Sequence, residues 1–262
     1  MQIQQQGYYT VNNTRVDISA AQKRSENFSK LFTPEEGRSS VELLPPPGGS
    51  QDVSCAVINA STVKAIIDAA KTGEPTAALN FASAKNPGGG FLNGAIAQEE
   101  ALAACSGLYS TQLKHMEYYE KNRAYKSMTY TDHAIYSPDV VFFRDENNNL
   151  LKEPVICSIL TLPAVNMSQV KAKGEDINQA KRIMKNRMRL ALTILAVERN
   201  RTIILGAYGC GVFGNDPLDV ARWWQDLLMD EKFGGYFNRV LFVILDKPNG
   251  VNIKTFERVF GN

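Results

Sequence analysis

A run of three glycines, Gly88 to Gly90, constrains the fold of this chain more than any other feature. It comes after an apolar segment, Ala77 to Phe81, which is typical of a short buried strand, and Pro87 stands directly before it. Because proline lacks an N–H donor and glycine lacks a side chain, the strand must end there and give way to a loop. Three glycines cost backbone entropy, which a sequence accepts where φ must be positive or where the backbone must come very close to another group. A bound ligand is one such group.

Two carboxylates follow the glycine loop at the predicted start of a helix. Beyond Gly94 the sequence is compatible with a helix from Ala95 to Leu108, which places Gln98, Glu99 and Glu100 in its first turn. The helix dipole favours acids there whatever they do, so a plain glycine turn with solvated glutamates is one interpretation. Adjacent helical residues project ~100° apart, so the two carboxylates imply two different tasks. Since ligands of open α/β sheets bind at the carboxyl ends of strands, the combination favours a ligand site.

A second glycine-rich loop follows another predicted strand, Thr202 to Leu205. Its sequence is GAYGCGVFGNDP, and it ends in Asp216 and Pro217, a natural N-cap and first residue for a helix that runs to about Met229. The Asp216 carboxylate would compete with a phosphate placed on the helix terminus. We therefore expect an anion here to lie on the N–H groups of the loop, as in a backbone nest.

The same loop satisfies the dinucleotide-binding pattern G-x-G-x-x-G through Gly209, Gly211 and Gly214. That motif requires a following strand that ends in an acid about 20 residues on, and further βαβ units. Here residue 234 is a glycine, one clear strand remains, and Asp246 ends that strand too late. We therefore reject a dinucleotide-binding fold.

Both loops resemble the signatures of one family. The sequence NFASAKNPGGG, followed by seven residues and Gln-Glu-Glu, closely resembles the signature of poly(ADP-ribose) glycohydrolases of the bacterial type, which are macrodomain proteins. The second loop is similar to the second phosphate-binding loop of that family, GA-aromatic-GCGVF, although Tyr208 stands where a larger aromatic residue is expected. The resemblance extends from roughly Gly7 to the strand that ends at Asp246.

The resemblance implies a role for each matching residue. In the family the glycine loop lies against the diphosphate and distal ribose of ADP-ribose, the second glutamate of the triplet is the acid and base, and the first holds ribose hydroxyls. By position these are Glu100 and Glu99. Phe213 would pack on the distal ribose. The residues expected to contact substrate are Asn86, Gly88, Gly89, Gly90, Gln98, Gly209, Cys210, Gly211, Val212 and Phe213.

The implied reaction is hydrolysis of the ribose–ribose O-glycosidic bonds of poly(ADP-ribose), with release of ADP-ribose. It requires a proton on the leaving oxygen and stabilisation of an oxocarbenium-like transition state. Glu100 would supply the proton and then, as a carboxylate, deprotonate the incoming water. It must arrive protonated, which burial, Glu99 and the diphosphate would favour. Neither a metal nor a cofactor is expected. The alternatives are an ADP-ribose-binding macrodomain, against which the intact Gln-Glu-Glu argues, and a mono-ADP-ribosyl hydrolase.

Charge and cysteine usage limit the chemistry further. The 29 basic and 27 acidic residues give a formal net charge of +2, so electrostatics favour neither a nucleic-acid duplex nor an anionic membrane as partner. The four cysteines show no CxxC spacing, and there are only two histidines, so we expect no zinc site. Cys210 could be a nucleophile, but with no histidine close in sequence a packed or loop-lining thiol is favoured.

The ends of the chain lack targeting and membrane signals. The amino terminus, MQIQQQGYYT, has neither the basic start nor the apolar run of a signal peptide, and Val240 to Leu245 is too short to span a bilayer. We therefore expect a soluble protein of a reducing compartment, the cytoplasm, or also the nucleus if the source is eukaryotic. We expect a monomer whose partners are ADP-ribose and poly(ADP-ribose) on modified proteins, with no membrane and no sequence-specific nucleic acid.

Length and element order predict one large α/β domain. With 262 residues and 44% hydrophobic content, the chain can bury a sizeable core. Alternating strands and helices, together with the family resemblance, predict a macrodomain-like three-layer α/β/α fold with a central mixed sheet. Residues 1–50 are expected to form an N-terminal helical extension, with a helix from about Asp17 to Phe32 and a loop from Pro45 to Ser50. Residues 51–262 would form the catalytic core.

Further elements are predicted from periodicity and turn residues. The strands are Val53 to Ile58, Ala134 to Ser137, Val140 to Phe143 and Val155 to Leu160, and the helices are Thr62 to Ala70, Thr111 to Arg123 and Asp176 to Glu198. The last helix has a basic face that could meet polymer phosphates, although a solvated helix side is favoured. That face consists of Lys181, Arg182, Lys185, Arg187 and Arg189. Tyr118 and Tyr119 are interpreted as core or surface anchors.

Overall fold

The computed structural model describes residues 2–44, 46 and 53–261. Within them the strands are β1 (Tyr8–Val11), β2 (Thr14–Asp17), β3 (Lys30–Phe32), β4 (Ser54–Ile58), β5 (Thr76–Phe81), β6 (Ala134–Arg144), β7 (Leu150–Leu162), β8 (Thr202–Leu205) and β9 (Arg239–Val243). The α-helices are α1 (Gln2–Gln6), α2 (Ser19–Phe28), α3 (Pro34–Ser39), α4 (Thr62–Ala70), α5 (Gln98–Cys105), α6 (Leu108–Leu113), α7 (Met116–Ala124), α8 (Met167–Ala172), α9 (Ile177–Val197), α10 (Pro217–Gln225) and α11 (Val251–Phe260). A π-helical turn, Asp226–Asp230, extends α10. Among these described helices, none is long and apolar enough to cross a membrane.

Seven of the strands form one mixed sheet in the order β3-β6-β7-β5-β8-β9-β4, and β1 and β2 form a separate hairpin. Neighbours from β7 to β4 run parallel, whereas β3, β6 and β7 pair antiparallel. The predicted central mixed sheet of an α/β fold is confirmed. The two strands that precede the glycine loops, β5 and β8, are adjacent and parallel, with Ala77 opposite Ile203. Both loops therefore begin side by side, at the carboxyl ends of two neighbouring central strands.

Alternating side chains of the central strands enter two hydrophobic cores, one on each face of the sheet. On β5, Ala77 and Leu79 belong to one core and Ala78 to the other. The first core is closed by α9, α10 and α11, with Trp224 of α10 completely buried in it. The second core is closed by α4 and α5, where Leu102 is completely buried. Helices that pack on both faces of the sheet thus fix the positions of the strand ends from which the two loops begin.

The predicted helix from about Asp17 to Phe32 is wrong at its carboxyl end. The helix α2 ends at Phe28, and the next residues form β3, in which Lys30 pairs with Tyr136 and Phe32 with Ala134 on β6. Two features favour this outcome. Thr33 precedes a proline, which disfavours a helical conformation at Thr33, and the Thr33 side chain caps the next helix, α3. The sheet edge offers the intervening residues a pairing partner that local sequence does not reveal.

The predicted helix from Ala95 to Leu108 is too long at both ends, since α5 spans Gln98–Cys105, although Gln98, Glu99 and Glu100 do occupy its first turn as predicted. The helix α5 ends at Cys105 because Ser106 is extended and forms an isolated bridge to Phe142, while the Gly107 N–H donates to the carbonyl of Val141 at 2.9 Å. A Cβ on Gly107 would overlap the amide of Gln22 on α2, so the chain crosses closely there. The break allows α6 to begin in a new direction, and the helix predicted over Thr111 to Arg123 becomes parts of α6 and α7.

The amino-terminal elements pack on the sheet. The strand β3 extends the sheet beyond β6, and Tyr9 and Ile18 join Val141 and Phe143 in a buried cluster. The predicted loop from Pro45 to Ser50 lies outside the described residues, apart from Pro46. The division into an extension of residues 1–50 and a core of residues 51–262 therefore stays a prediction.

Candidate active site

One cavity of about 340 Å³ lies at the carboxyl ends of β5 and β8, where the second glycine loop faces the start of α5 and the residues that directly follow β5. Its wall combines the end of β5, the start of α5, and the second loop. The lining residues are Phe81, Ala82, Ser83, Ala97, Gln98, Glu99, Glu100, Ala164, Ala207, Gly209, Gly211, Val212 and Phe213. Seven of the predicted site residues are among them: both glutamates, Gln98, and four residues of the second loop.

Glu99 lies at the base of this cavity and is only 3% exposed. Its Oε1 accepts hydrogen bonds from Asn80 Nδ2 at 3.0 Å and Gln112 Nε2 at 2.9 Å. Its Oε2 accepts from the Ser83 main-chain N–H at 2.6 Å. Burial raises the pKa of Glu99 to about 7, an effect that the three donors oppose and the nearby Glu100 adds to. The side chain is thus fixed in orientation and can exchange its proton near neutrality.

Glu100 is half-buried and is held by the first glycine loop. Its Oε1 accepts a hydrogen bond from the Gly90 N–H at 2.8 Å, and within the described part of the chain no hydrogen bond uses Oε2. Gly89 has φ 60°, and a Cβ atom there would overlap Glu100 Oε1 and lie 3.0 Å from Glu99 Oε2. The need for glycine at this position comes from the backbone conformation and from the close approach of both carboxylates.

The N–H groups of the glycine triplet are all used within the protein. Gly88 donates to Gln112 Oε1 at 2.9 Å, Gly89 to the carbonyl of Asn86 at 3.0 Å, and Gly90 to Glu100. These three glycines and Asn86 do not line the cavity. Their predicted contact with the substrate stays a prediction, whereas their contacts within the protein show that the triplet supports the two glutamates.

Gln98 lines the cavity, but its amide is engaged with β5. Its Oε1 accepts from the Phe81 N–H at 2.8 Å, and its Nε2 donates to the Leu79 carbonyl at 2.9 Å. This pair of hydrogen bonds fastens the first turn of α5 to the last residues of the strand. Gln98 therefore sets where Glu99 and Glu100 stand relative to the sheet.

The second loop presents unused N–H groups to the cavity. Among the hydrogen bonds of residues 2–44, 46 and 53–261, none uses the N–H of Gly211, Val212 or Phe213. The carbonyls of Val212 and Phe213 instead accept hydrogen bonds from Ser168, at 3.3 and 2.9 Å. Successive N–H groups without an internal acceptor make a nest of the kind that holds anions. Asp216 caps α10 through the N–H groups of Leu218 and Asp219, as its position predicted.

Buried polar and aromatic side chains fix the shape of the second loop. Asn215 Nδ2 donates to the carbonyls of Gly209, at 3.0 Å, and Val165, at 2.8 Å. The Phe213 ring lies on the cavity wall with its centroid 6.1 Å from that of Tyr130. Cys210 is not among the cavity-lining residues, and burial raises the pKa of its thiol to about 12. A packed thiol therefore fits Cys210 better than a nucleophile does.

Sequence reasoning missed three groups that hold Glu99, namely Asn80, Ser83 and Gln112. Asn80 carried a detectable signal, because a polar residue within the otherwise apolar strand β5 requires a buried partner. The Ser83 contact is made by the main chain and leaves no mark in the sequence. Gln112 lies on a different helix, and nothing in its local sequence indicates its partners.

A second cavity of about 290 Å³ adjoins the first at the ends of β4 and β9. The two cavities share Phe81, Ala97, Gln98 and Ala207. The second is lined largely by apolar groups, including the exposed side chains of Ile96 and Leu245. The two cavities therefore lie side by side at the carboxyl ends of the strands, and together they are called the cleft.

Four of the five cations assigned to the basic face of α9 pair with neighbouring acids. Lys181 pairs with Asp219 at 2.6 Å, Lys185 with Asp226 at 2.9 Å, and Arg189 with Glu231 at 2.6 Å. Arg187, assigned to this face from the sequence, is instead completely buried against Asp132. Tyr118 and Tyr119, predicted as core or surface anchors, are completely buried in a cluster with Ile135. In the part of the chain that the structure describes, no group of three His, Cys, Asp or Glu side chains could hold a metal ion.

The sheet order, the paired glutamates and the backbone nest define a macrodomain-like α/β/α enzyme. Comparison with known proteins agrees with this class. The family model of the microbial-type PARG catalytic domain matches residues 1–145. The chain belongs to this family.

Solved structures extend the match to almost the full chain. The X-ray structure of poly(ADP-ribose) glycohydrolase from Thermomonospora curvata is 35% identical, with a TM-score of 0.94 over 99% of this chain and 96% of that one. The same enzyme bound to the inhibitor ADP-HPD is 34% identical, with a TM-score of 0.91 over 98% and 95%. Poly(ADP-ribose) glycohydrolase from Deinococcus radiodurans in complex with ADP-ribose is 41% identical, with a TM-score of 0.86 over 91% and 96%. A comparison with curated proteins gives no significant match.

Proposed function

We propose that this enzyme hydrolyses the ribose–ribose O-glycosidic bonds of poly(ADP-ribose) and releases ADP-ribose, with Glu100 as its general acid and base. The observation that carries the proposal is the convergence of two features on one cavity. The Glu100 carboxylate and the unused N–H groups of the second loop line the same wall. Relatives whose structures contain ADP-ribose or the inhibitor ADP-HPD support the choice of ligand.

The diphosphate of the substrate would lie on the second loop. The N–H groups of Gly211, Val212 and Phe213 provide donors without internal acceptors, and Asp216 keeps a phosphate off the start of α10. The Phe213 ring would then pack against the distal ribose. The adjoining second cavity has a mostly apolar lining with a few polar side chains and borders this loop at Ala207, which makes it the place where the adenosine end fits.

Glu100 would carry out both proton transfers. Its Oε1 is occupied by the Gly90 N–H, which leaves Oε2 to protonate the departing ribose oxygen as the anomeric C–O bond breaks. The resulting oxocarbenium-like centre is attacked by water, and the Glu100 carboxylate takes the proton that the water releases. The anomeric carbon gains a hydroxyl group, and Glu100 is protonated again for the next cycle.

Glu99 would hold the ribose rather than transfer protons. Its orientation is fixed by Asn80, Gln112 and Ser83, so it cannot follow a moving proton acceptor. With a pKa raised to about 7, it can accept a hydrogen bond from a ribose hydroxyl or donate one to it near neutral pH. The two glutamates thereby divide the two tasks that their adjacent helical positions imply.

The test compares the wild-type protein with Glu100→Gln on poly(ADP-ribose) and on a mono-ADP-ribosylated protein. We expect wild type to release ADP-ribose from the polymer, and the variant to lose ~10²–10⁴-fold in rate while it binds ADP-ribose with near-wild-type affinity in isothermal titration. Glu117→Gln, an exposed first-turn glutamate on α7, is the matched control. Retained turnover in Glu100→Gln would remove Glu100 from its role. Binding without release by wild type would favour a reader, and release only from the mono-modified substrate a mono-ADP-ribosyl hydrolase.

A further inference from the structure

Gln112 on α6 is a completely buried amide that joins the two halves of the catalytic wall. Its Oε1 accepts a hydrogen bond from the Gly88 N–H at 2.9 Å, and its Nε2 donates one to Glu99 Oε1, also at 2.9 Å. It is 0% exposed and does not line the cavity, so it cannot touch the substrate there. Any effect on the reaction must be transmitted through its two partners.

The orientation of this amide is fixed by chemistry. A main-chain N–H can only donate, so the atom that faces Gly88 must be the carbonyl oxygen, and the NH₂ group must then face Glu99. Because a carboxylate accepts hydrogen bonds, this arrangement suits Glu99 in its ionised form. The site requires an acceptor on one side and a donor on the other. Glutamine meets this requirement, whereas an ionised glutamate or an apolar residue of similar length does not.

The helix α6 forms a platform for the glycine loop. Tyr109 lies three residues before Gln112, on the same side of the helix, and its Cδ2 is 3.0 Å from the place that a Cβ on Gly88 would occupy. The Tyr109 ring also lies 5.7 Å, between centroids, from that of Phe91. Since Gly90, two residues beyond Gly88, holds Glu100, a shift of the loop on this platform would displace the acid and base.

We propose that Gln112 is a positioning residue of the glycohydrolase site, which sets the orientation of Glu99 and the seat of the loop that holds Glu100. This inference rests on the proposed function, because it assumes that both glutamates act on the substrate. It assigns to Gln112 an effect on the reaction that is transmitted only through Glu99 and the glycine loop. A sharp test is available, because exchange of the Gln112 NH₂ group for an oxygen atom turns the donor that faces Glu99 into an acceptor.

Gln112→Glu is that exchange. One oxygen of the introduced carboxyl can still accept from Gly88, but the other replaces the NH₂ group and faces Glu99 Oε1, so two acceptors meet unless a proton lies between them. Three other titratable groups also interact with Glu99: Glu100, its neighbour on α5, and Tyr118 and Tyr119 on α7. Burial raises the pKa of both tyrosines well above their usual range. The tyrosines therefore stay neutral, and the added pH dependence would come from the carboxyl pair.

The experiment measures kcat and KM on poly(ADP-ribose) across the neutral pH range for wild type, Gln112→Glu and Gln112→Met, with ADP-ribose titration and thermal unfolding of each. We expect Gln112→Met to lose about 10-fold or more in kcat with KM within about threefold, as for one hydrogen bond to a charged group. Gln112→Glu should lose more as pH rises and recover toward acid pH. Asn200→Asp is the matched control, because Asn200 is a buried amide that bridges Tyr136 and Leu195 just before the amino end of β8, away from the cavity.

Each other outcome overturns the proposal. If folded Gln112→Met and Gln112→Glu keep wild-type kcat and the wild-type pH profile, Gln112 has no influence on the site. If neither variant folds while Asn200→Asp does, Gln112 supports the fold and not the reaction. Failure of the proposed function is recognised separately, since wild type itself would then release no ADP-ribose, or Glu100→Gln would remain active.

Discussion

The main-chain N–H of Gly90 donates a 2.8 Å hydrogen bond to Oε1 of Glu100, across ten residues of sequence. The preceding Gly89 adopts φ 60°, and any Cβ there would overlap the same oxygen. The glycine triplet, which the sequence indicates as a ligand-binding loop, therefore also binds the carboxylate of Glu100 within the protein. The loop and the helix that follows it form one unit, in which the position of the acid depends on the absence of a side chain.

Gly89→Ala should lower kcat by about 10²-fold, because the new methyl group must displace the Glu100 carboxylate by a fraction of an ångström or more. The positive φ adds a stability cost of about 1 kcal/mol. Gly94→Ala is the control, since Gly94 has φ 77° and nothing within 4 Å of the place of its Cβ. Steady-state kinetics and thermal unfolding of the two variants separate strain from displacement. Equal turnover in both would contradict the role given to Gly89.

The stability of the protein should depend on pH through Glu99. Burial raises the pKa of Glu99 from its ordinary 4.5 to about 7, so the folded state holds this proton more tightly than the unfolded chain does. That stabilisation is complete below the unfolded pKa and is lost as pH rises through the folded pKa. Between these values the free energy of unfolding should fall by on the order of 2–4 kcal/mol from this group alone.

Chemical denaturation at a series of pH values checks this for wild type, Glu99→Gln and the exposed control Glu117→Gln. The difference in free energy of unfolding between wild type and Glu99→Gln should change across the window, whereas Glu117→Gln should run parallel to wild type. If Glu99→Gln also runs parallel, Glu99 does not titrate differently in the folded protein.

Arg187→Met should destabilise the protein by about 3–5 kcal/mol, because it leaves buried partners without a donor. The guanidinium pairs with Asp132 at 2.8 Å and donates to the carbonyls of Thr129, Tyr130 and Pro163. Urea denaturation measures the loss, and Arg182→Met, on the exposed side of the same helix, should cost less than about 1 kcal/mol. A loss for Arg187→Met no larger than that of the control would show that the buried network contributes little.

Elements with strong local signals could be predicted closely from the sequence. The strand β8 spans the predicted Thr202–Leu205, and α4 begins after Ser61, whose side chain accepts from the Lys64 N–H as an N-cap. Asp216 and Pro217 open α10 for the same reason. Caps, prolines and glycine runs act within a few residues, so their consequences are written in the local sequence.

Features that depend on distant partners could not be predicted. The strand β3 exists because β6 offers it an edge, and α5 ends where Ser106 pairs with Phe142. No element is predicted from the sequence over Val251–Phe260, which form α11 and pack through Phe260, whose ring lies 4.1 Å, between centroids, from that of Phe242 on β9. In the site, the pairing of Gln112 with Glu99 joins two helices whose relative placement no local pattern determines.

The adjacent, parallel placement of β5 and β8 also limits how such a chain can change its length. Ile203 and Ile204 enter opposite cores, so the loss of one residue within β8 would exchange the two faces and rotate the second loop away from the cleft. Insertions and deletions are disfavoured in these strands and are better accommodated in the turn between β6 and β7, where residues 146–149 are all exposed. Because β7 runs parallel to β5, its first residues lie at the end of the sheet opposite the cavity, so a reporter domain inserted in that turn would spare both the cores and the site.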